Sequence, residues 1–198
     1  MLFNLSIKKA QTKYWIGSTK LEDTMELIYL VGFMGCGKTT VGKELAKRVN
    51  NKFLDLDEEI VSQTGKSIPD LFNEFGESGF RDIETKVLKS LSSKKMIIST
   101  GGGIILRDEN IGFMKERGKI IYLETPIELI YERIHLDSNR PNAVNRSLDD
   151  LTHLFQSRES QYKKADFKIS TKDLTPIEIT LEIIDCLNYS KGGDSRNK

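Results

Sequence analysis

Residues 27–49 read LIYLVGFMGCGKTTVGKELAKRV. Five apolar residues, 27–31, run into G-x-x-x-x-G-K-T over Gly32 to Thr39. After the loop, Val41, Leu45, Ala46 and Val49 recur on one face of a helix. Strand, glycine-rich loop and helix in that order form the context in which this pattern cradles phosphate. The glycines let successive backbone N–H groups turn inward, and the helix points its positive end at the anion. Lys38 is then set to reach the β- and γ-phosphates, and the Thr39 hydroxyl to bind Mg²⁺. Gly35, Cys36, Gly37 and Thr40 complete the expected ATP-binding loop.

Downstream, short β-rich runs alternate with longer helical patterns. The runs are FLDLD (53–57), MIIST (96–100), KIIYLE (119–124) and FKIST (167–171). Like 27–31, most are continuously apolar, as parallel strands buried on both faces should be. Ser67 with Asp70, Thr125 with Glu128, Ser147 with Asp150 and Thr175 with Glu178 have capping-box spacing, and Pro126 and Pro176 fall where a first helical residue belongs. The pattern predicts an α/β fold, a five-stranded parallel sheet flanked by helices. We read residues 1–24 as an extension, 25–189 as the domain and 190–198 as a frayed tail.

The chain has 198 residues, enough for one domain, and 30 basic against 29 acidic residues. A net charge of +1 argues against a nucleic-acid partner. Nothing approaches the run of about 18 apolar residues that crosses a membrane. Cys36 and Cys186 form no CxxC pair, so a cytoplasmic location is expected. No obligate protein partner is evident.

The sequence also narrows the kind of phosphate-binding protein. The nearest approach to the guanine-reading N-K-x-D is NKFL at 51–54, and D-x-x-G does not occur. What remains is a small kinase.

Three anomalies suggest a second ligand. Phe80, Ile83, Val87, Leu88 and Leu91 form an apolar stripe with Glu84 inside it and Arg81 at its edge. Arg158 projects into the stripe formed by Leu151, Leu154, Phe155 and Tyr162. Arg81 and Glu84 are spaced to pair with each other. Arg158 has no such neighbour, and two inward guanidiniums on separate helices suit a carboxylate. In FLDLD, Asp55 and Asp57 fall on one side of a strand end, facing the ligand crevice. Finally, Gly101 to Gly103 follow a buried strand, and three glycines would let a ligand approach the backbone closely.

GFMGCGKTT, FLDLD, GFRDIE, STGGG, NRP and SRESQY, in this order over about residues 27–187, resemble the shikimate kinase family. The resemblance implies a nucleoside-monophosphate-kinase-like fold and transfer of the ATP γ-phosphate to the 3-hydroxyl of shikimate, with Mg²⁺, on the route to chorismate. It further implies that Asp57 holds the reacting hydroxyl and accepts its proton, and that Arg81 and Arg158 bind the substrate carboxylate. Gly102 would contact the ring hydroxyls. Asp55 and Ser99 would stand behind the Mg²⁺ shell, Arg140 would close over the phosphates and Arg133 would pack on adenine. The stretch after Arg140, PNAVNRS, is more polar than the family's usual lid, and Cys36 stands where Ala or Ser is usual. A kinase for gluconate or a nucleotide, or a nucleotide-binding module without turnover, stays open at this point.

Overall fold

In the computed structural model, which describes residues 27–93, 95–136 and 147–192, every residue of β1 (Leu27–Val31) is buried. Leu27, Tyr29 and Val31 enter one apolar cluster, while Ile28 and Leu30 enter another. Side chains alternate across a strand, so each set needs its own core. This double burial is why the run shows no polar alternation.

The elements that come after it are α1 (Lys38–Arg48), β2 (Phe53–Asp55), α2 (Leu56–Thr64), α3 (Ile68–Ser90), β3 (Ile97–Ser99) and a 3₁₀ turn (Ile104–Leu106). Then come α4 (Asp108–Arg117), β4 (Gly118–Glu124), α5 (Ile127–Leu136), α6 (Leu148–Tyr162), β5 (Phe167–Ser170) and α7 (Pro176–Gly192). All strand pairings are parallel, in the order β2-β3-β1-β4-β5. Val41 and Leu45 of α1 and Ile179 and Ile183 of α7 close one face of the sheet. Residues of α2 through α6 close the other, among them Ile60, Val87, Met114, Ile130 and Leu151.

Three of the four expected caps form. Ser67 accepts from the Asp70 N–H at 3.3 Å. Ser147 and Asp150 satisfy each other's backbone in a full capping box. Thr175 and Glu178 do the same ahead of α7. Thr125 does not cap. Its buried hydroxyl lies 2.6 Å from Thr171 Oγ1 and reaches the Cys36 carbonyl, tying the ends of β4 and β5 to the loop after β1. The Pro126 carbonyl accepts the first bond of α5 from Ile130, so the proline stands one residue before the helix.

Two boundaries depart from the sequence reading. α3 is broken at Gly76, whose φ of 67° and ψ of −177° suit only glycine. β2 ends at Asp55, and α2 starts at once. Asp55 and Asp57 therefore do not share a strand face. The expected extension 1–24, Arg140 and its lid stretch, and residues 193–198 lie outside the described residues.

Candidate active site

The three strands β1, β2 and β3 end on one line, because Leu30, Ser99 and Asp55 are register partners. The segments leaving these strands therefore meet at one edge of the sheet, where ligands of parallel α/β proteins bind.

The loop after β1 has positive φ at Gly32, Gly35 and Gly37. Gly37 is the N-cap of α1 in the left-handed conformation and offers no capping side chain. The first N–H groups of α1 are thus left for an external anion. Lys38 is buried, and its ammonium donates to the carbonyls of Gly32 at 2.9 Å and Phe33 at 3.0 Å. Cys36 is also buried, with Sγ 3.6 Å from Lys38 Nζ.

Thr39 Oγ1 donates to Asp55 Oδ2 at 2.8 Å and lies 3.4 Å from Ser99 Oγ. Two hydroxyls and a carboxylate make a hard-oxygen set of the kind Mg²⁺ accepts together with phosphate oxygens. Among the described residues no cluster of three or more His, Cys, Asp or Glu could hold a metal by itself. Asp55 is also the N-cap of α2, where its side chain accepts from the Asp57 N–H at 3.1 Å. The capping role thus belongs to Asp55, and Asp57 lies in the first turn of the helix.

A cavity of about 450 Å³ joins these groups. Its lining includes the glycine loop with Thr39 and Thr40, then Asp55, Asp57, Ser99 and Gly102. Arg133 of α5 lines it too, with Nη1 3.4 Å from the Gly35 carbonyl and the apolar Leu174, Pro176 and Ile179 sharing the wall. Arg81 and Arg158 do not line this cavity. They stand by Glu84, whose charge both of them act on together with Asp57.

Glu84 is fully buried and accepts from Arg81 Nη1 at 2.7 Å. The pair suggested by their spacing therefore exists. Arg81 packs on the rings of Phe80 and Phe72, and its other amino group reaches the exposed Glu77 at 3.4 Å. Burial pushes the Glu84 carboxyl upward, and Arg81 holds it back. Arg158 is half-buried, and no ion pair among the described residues includes it. Its guanidinium lies over Phe33 of the glycine loop, whose ring meets Phe155 edge-on.

Gly101 and Gly103 make room for protein side chains, which corrects the expectation that they admit a ligand. A Cβ at Gly101 would stand 2.6 Å from Glu84 Oε1 and 3.0 Å from Asp57 Oδ1. One at Gly103 would fall onto the Arg81 guanidinium. Gly102 does line the cavity, and its carbonyl accepts from the Tyr162 hydroxyl at 2.6 Å. Tyr162 stacks on Tyr122, and burial pushes both phenols far up. Tyr162 escapes a sequence reading because an aromatic on an apolar stripe reads as core, and Phe33 because it fills an unrestricted position of the glycine loop.

Fold and site together define an ATP-using kinase of the P-loop class that acts on a small molecule. The family described as shikimate kinase matches residues 34–188. The chain is 45% identical to the shikimate kinase of Persephonella marina over 161 residues, 81% of this chain and 98% of that protein. It is 42% identical to that of Enterococcus faecalis, over 82% and 99% of the two chains. The structure of Acinetobacter baumannii shikimate kinase in complex with shikimate aligns with a TM-score of 0.79 at 40% identity, covering 88% of this chain and 98% of that one. A gluconokinase from Sinorhizobium meliloti, at 13% identity and a TM-score of 0.52, shares the fold alone. The chain belongs to the shikimate kinase family, and as such it is an ATP-dependent phosphotransferase with an alcohol group as acceptor. No helix among the described residues is long and apolar enough to cross a membrane.

Proposed function

We propose that the residues divide the work of transferring the ATP γ-phosphate to the 3-hydroxyl of shikimate. The glycine loop and the start of α1 hold the phosphates, with Lys38 leaving its carbonyl partners for the β- and γ-oxygens. Arg133, opposite Pro176 and Leu174, packs on the base. Arg81 and Arg158 bind the substrate carboxylate, and the Gly102 N–H donates to a ring hydroxyl. Asp57 then orients the 3-hydroxyl and accepts its proton as the oxygen attacks the γ-phosphorus in line, while the bond from that phosphorus to the β,γ-bridging oxygen breaks and ADP leaves with its electron pair.

Thr39, with Asp55 and Ser99 beside it, would hold Mg²⁺, which when bound would supply neutralisation of the phosphate charge. Positioning and charge neutralisation carry such a reaction, since little covalent chemistry is left to the protein. Arg140 belongs to this reading as the group closing over the phosphates. The catalytic domain is residues 25–189, and two free cysteines fit a cytoplasmic setting.

One observation carries the substrate assignment: two guanidiniums from separate helices, α3 and α6, stand just behind the cavity wall, Arg81 against Gly103 beside Gly102 and Arg158 over Phe33 of the glycine loop. The test is ADP release with shikimate, gluconate, AMP and CMP offered in parallel. Shikimate alone should support turnover at low concentration. Preference for any of the other three would overturn the assignment.

A further inference from the structure

Glu84 is the fully buried carboxylate of the described molecule, and only half of it is satisfied. Oε2 accepts from Arg81, while Oε1 has no hydrogen-bond donor. Oε1 and Asp57 Oδ1 both lie within 3.0 Å of the point a Gly101 Cβ would occupy, so the two carboxylates are less than 6 Å apart. The charged groups facing Glu84 are Arg81 on its own helix, Asp57 at the start of α2 and Arg158 on α6. Two negative charges therefore meet two positive ones. A ligand carboxylate between the arginines adds a third negative charge and draws guanidinium charge toward itself.

A buried carboxylate answers such a change by binding a proton. Desolvation disfavours its charged form, a nearby like charge disfavours it further, and weakening of the opposite charge removes what sustained it. Glu84 meets the first two conditions already, with Oε1 open to carry the hydrogen. Lys38 and the Thr39–Asp55–Ser99 group belong to other contacts and do not share its hydrogen bonds.

We propose that Glu84 is a positioning residue that takes up a proton from solvent when a carboxylate ligand enters between Arg81 and Arg158, and returns it when the ligand leaves. This rests on the shikimate reading above. In the free protein the Glu84 carboxylate holds Arg81 in place. In the complex the neutral acid lets the guanidinium turn its charge to the ligand. Binding that takes up a proton weakens as pH rises between the free and bound pKa values of the group.

The full chain should be titrated with shikimate in a calorimeter, in buffers of different ionisation enthalpy, across neutral pH. The expected result is a substantial fraction of a proton taken up, with Kd rising by up to roughly tenfold per pH unit, the limit for one linked proton. Glu84→Gln mimics the neutral acid, so it should bind with no proton uptake and a Kd independent of pH. A purely structural role would weaken binding at every pH and leave the proton count unchanged. Wild-type protein labelled with ¹³C in its glutamate carboxyls gives a readout that needs no variant. Its infrared difference spectrum on adding shikimate should gain a protonated carboxyl band that shifts with the label. Binding without buffer dependence, uptake that persists in Glu84→Gln, or no labelled acid band would each overturn the proposal. No binding heat for shikimate at all would overturn the substrate reading, and this proposal with it.

Discussion

Gly103→Ala is the sharpest test of how the substrate side of the site is built. Gly103 has φ −110° and ψ 3°, a negative φ that alanine adopts, so the substitution probes space and not backbone freedom. The added methyl would stand 2.6 Å from Arg81 Nη1 and closer still to Nη2 and Cζ. Relaxed contact is about 3.5 Å, so the guanidinium must withdraw by about 1 Å. It has little freedom to do so, being bonded to Glu84 at 2.7 Å and packed on Phe80. Complete loss of a partner to a buried charge costs about 3–5 kcal/mol, an upper bound because Glu84 can bind a proton instead. Displacement of a substrate clamp by about 1 Å costs up to about 10²-fold. The expected outcome is therefore a KM for shikimate raised by about 10²-fold, with KM for ATP little changed. Melting should fall by several degrees, since 1 kcal/mol corresponds to ~2–4 °C at this size. Steady-state kinetics with each substrate varied in turn reads the split. Gly112→Ala is the control, because nothing lies within 4 Å of its Cβ position. An unchanged shikimate KM in Gly103→Ala would refute the reasoning, and equal weakening of both substrates would show general collapse of the loop.

Arg158→Ala should raise KM for shikimate by about 2–5 kcal/mol in equivalent free energy while sparing ATP, measured in the same assay; an ATP effect of equal size would assign the arginine to folding. Asp57→Asn should lower kcat by roughly 10²-fold or more, and near-normal turnover would remove it from proton transfer. Burial pushes the Tyr29 phenol from its ordinary 10 up to about 12, with Tyr122 and Tyr162 shifted the same way. The folded state thus prefers the neutral phenols, a contribution complete below pH 10 and lost as pH rises from 10 toward 12. Tm should stay level up to about pH 10 and fall above it, with tyrosinate absorbance from these residues appearing only on unfolding. A chain beginning at Met25 should keep its Tm and kcat/KM, and a drop of several degrees would show that residues 1–24 pack on the domain.

The sheet was legible in the sequence because burial on both faces removes the polar alternation of a strand, and 27–31 and 119–124 show this plainly. The phosphate loop was legible because its chemistry is local, eight residues with fixed spacing. The substrate side was only partly so. Arg81, Glu84 and Arg158 stand out as charges on apolar stripes, but nothing local says that Asp57 faces Glu84 across Gly101. FLDLD shows why: five residues of strand character conceal a helix that begins at Leu56, since the Asp55 carboxylate captures the Asp57 N–H. The glycines at 101 and 103 were legible as a demand for space, while the side chains filling that space come from α3 and α2. Thr125 has capping-box spacing and is used elsewhere, because Thr171 lies next to it only once β4 and β5 have paired.

The common finishing line of β1, β2 and β3 bears on how the gene can change in length. Leu30, Ser99 and Asp55 are held abreast by the ladder, and the phosphate loop, the oxygen cluster at Thr39 and the glycine turn all hang from that line. A codon gained or lost within 97–99 would shift the glycine turn against both neighbours at once and exchange the two faces of β3. The opposite end of the sheet has no such restriction. Residues 50–51 and 91–93 return the chain toward the next strand, so insertions there would leave the chemistry untouched. Among homologues, length differences should gather at those connections and be missing from the three strand ends.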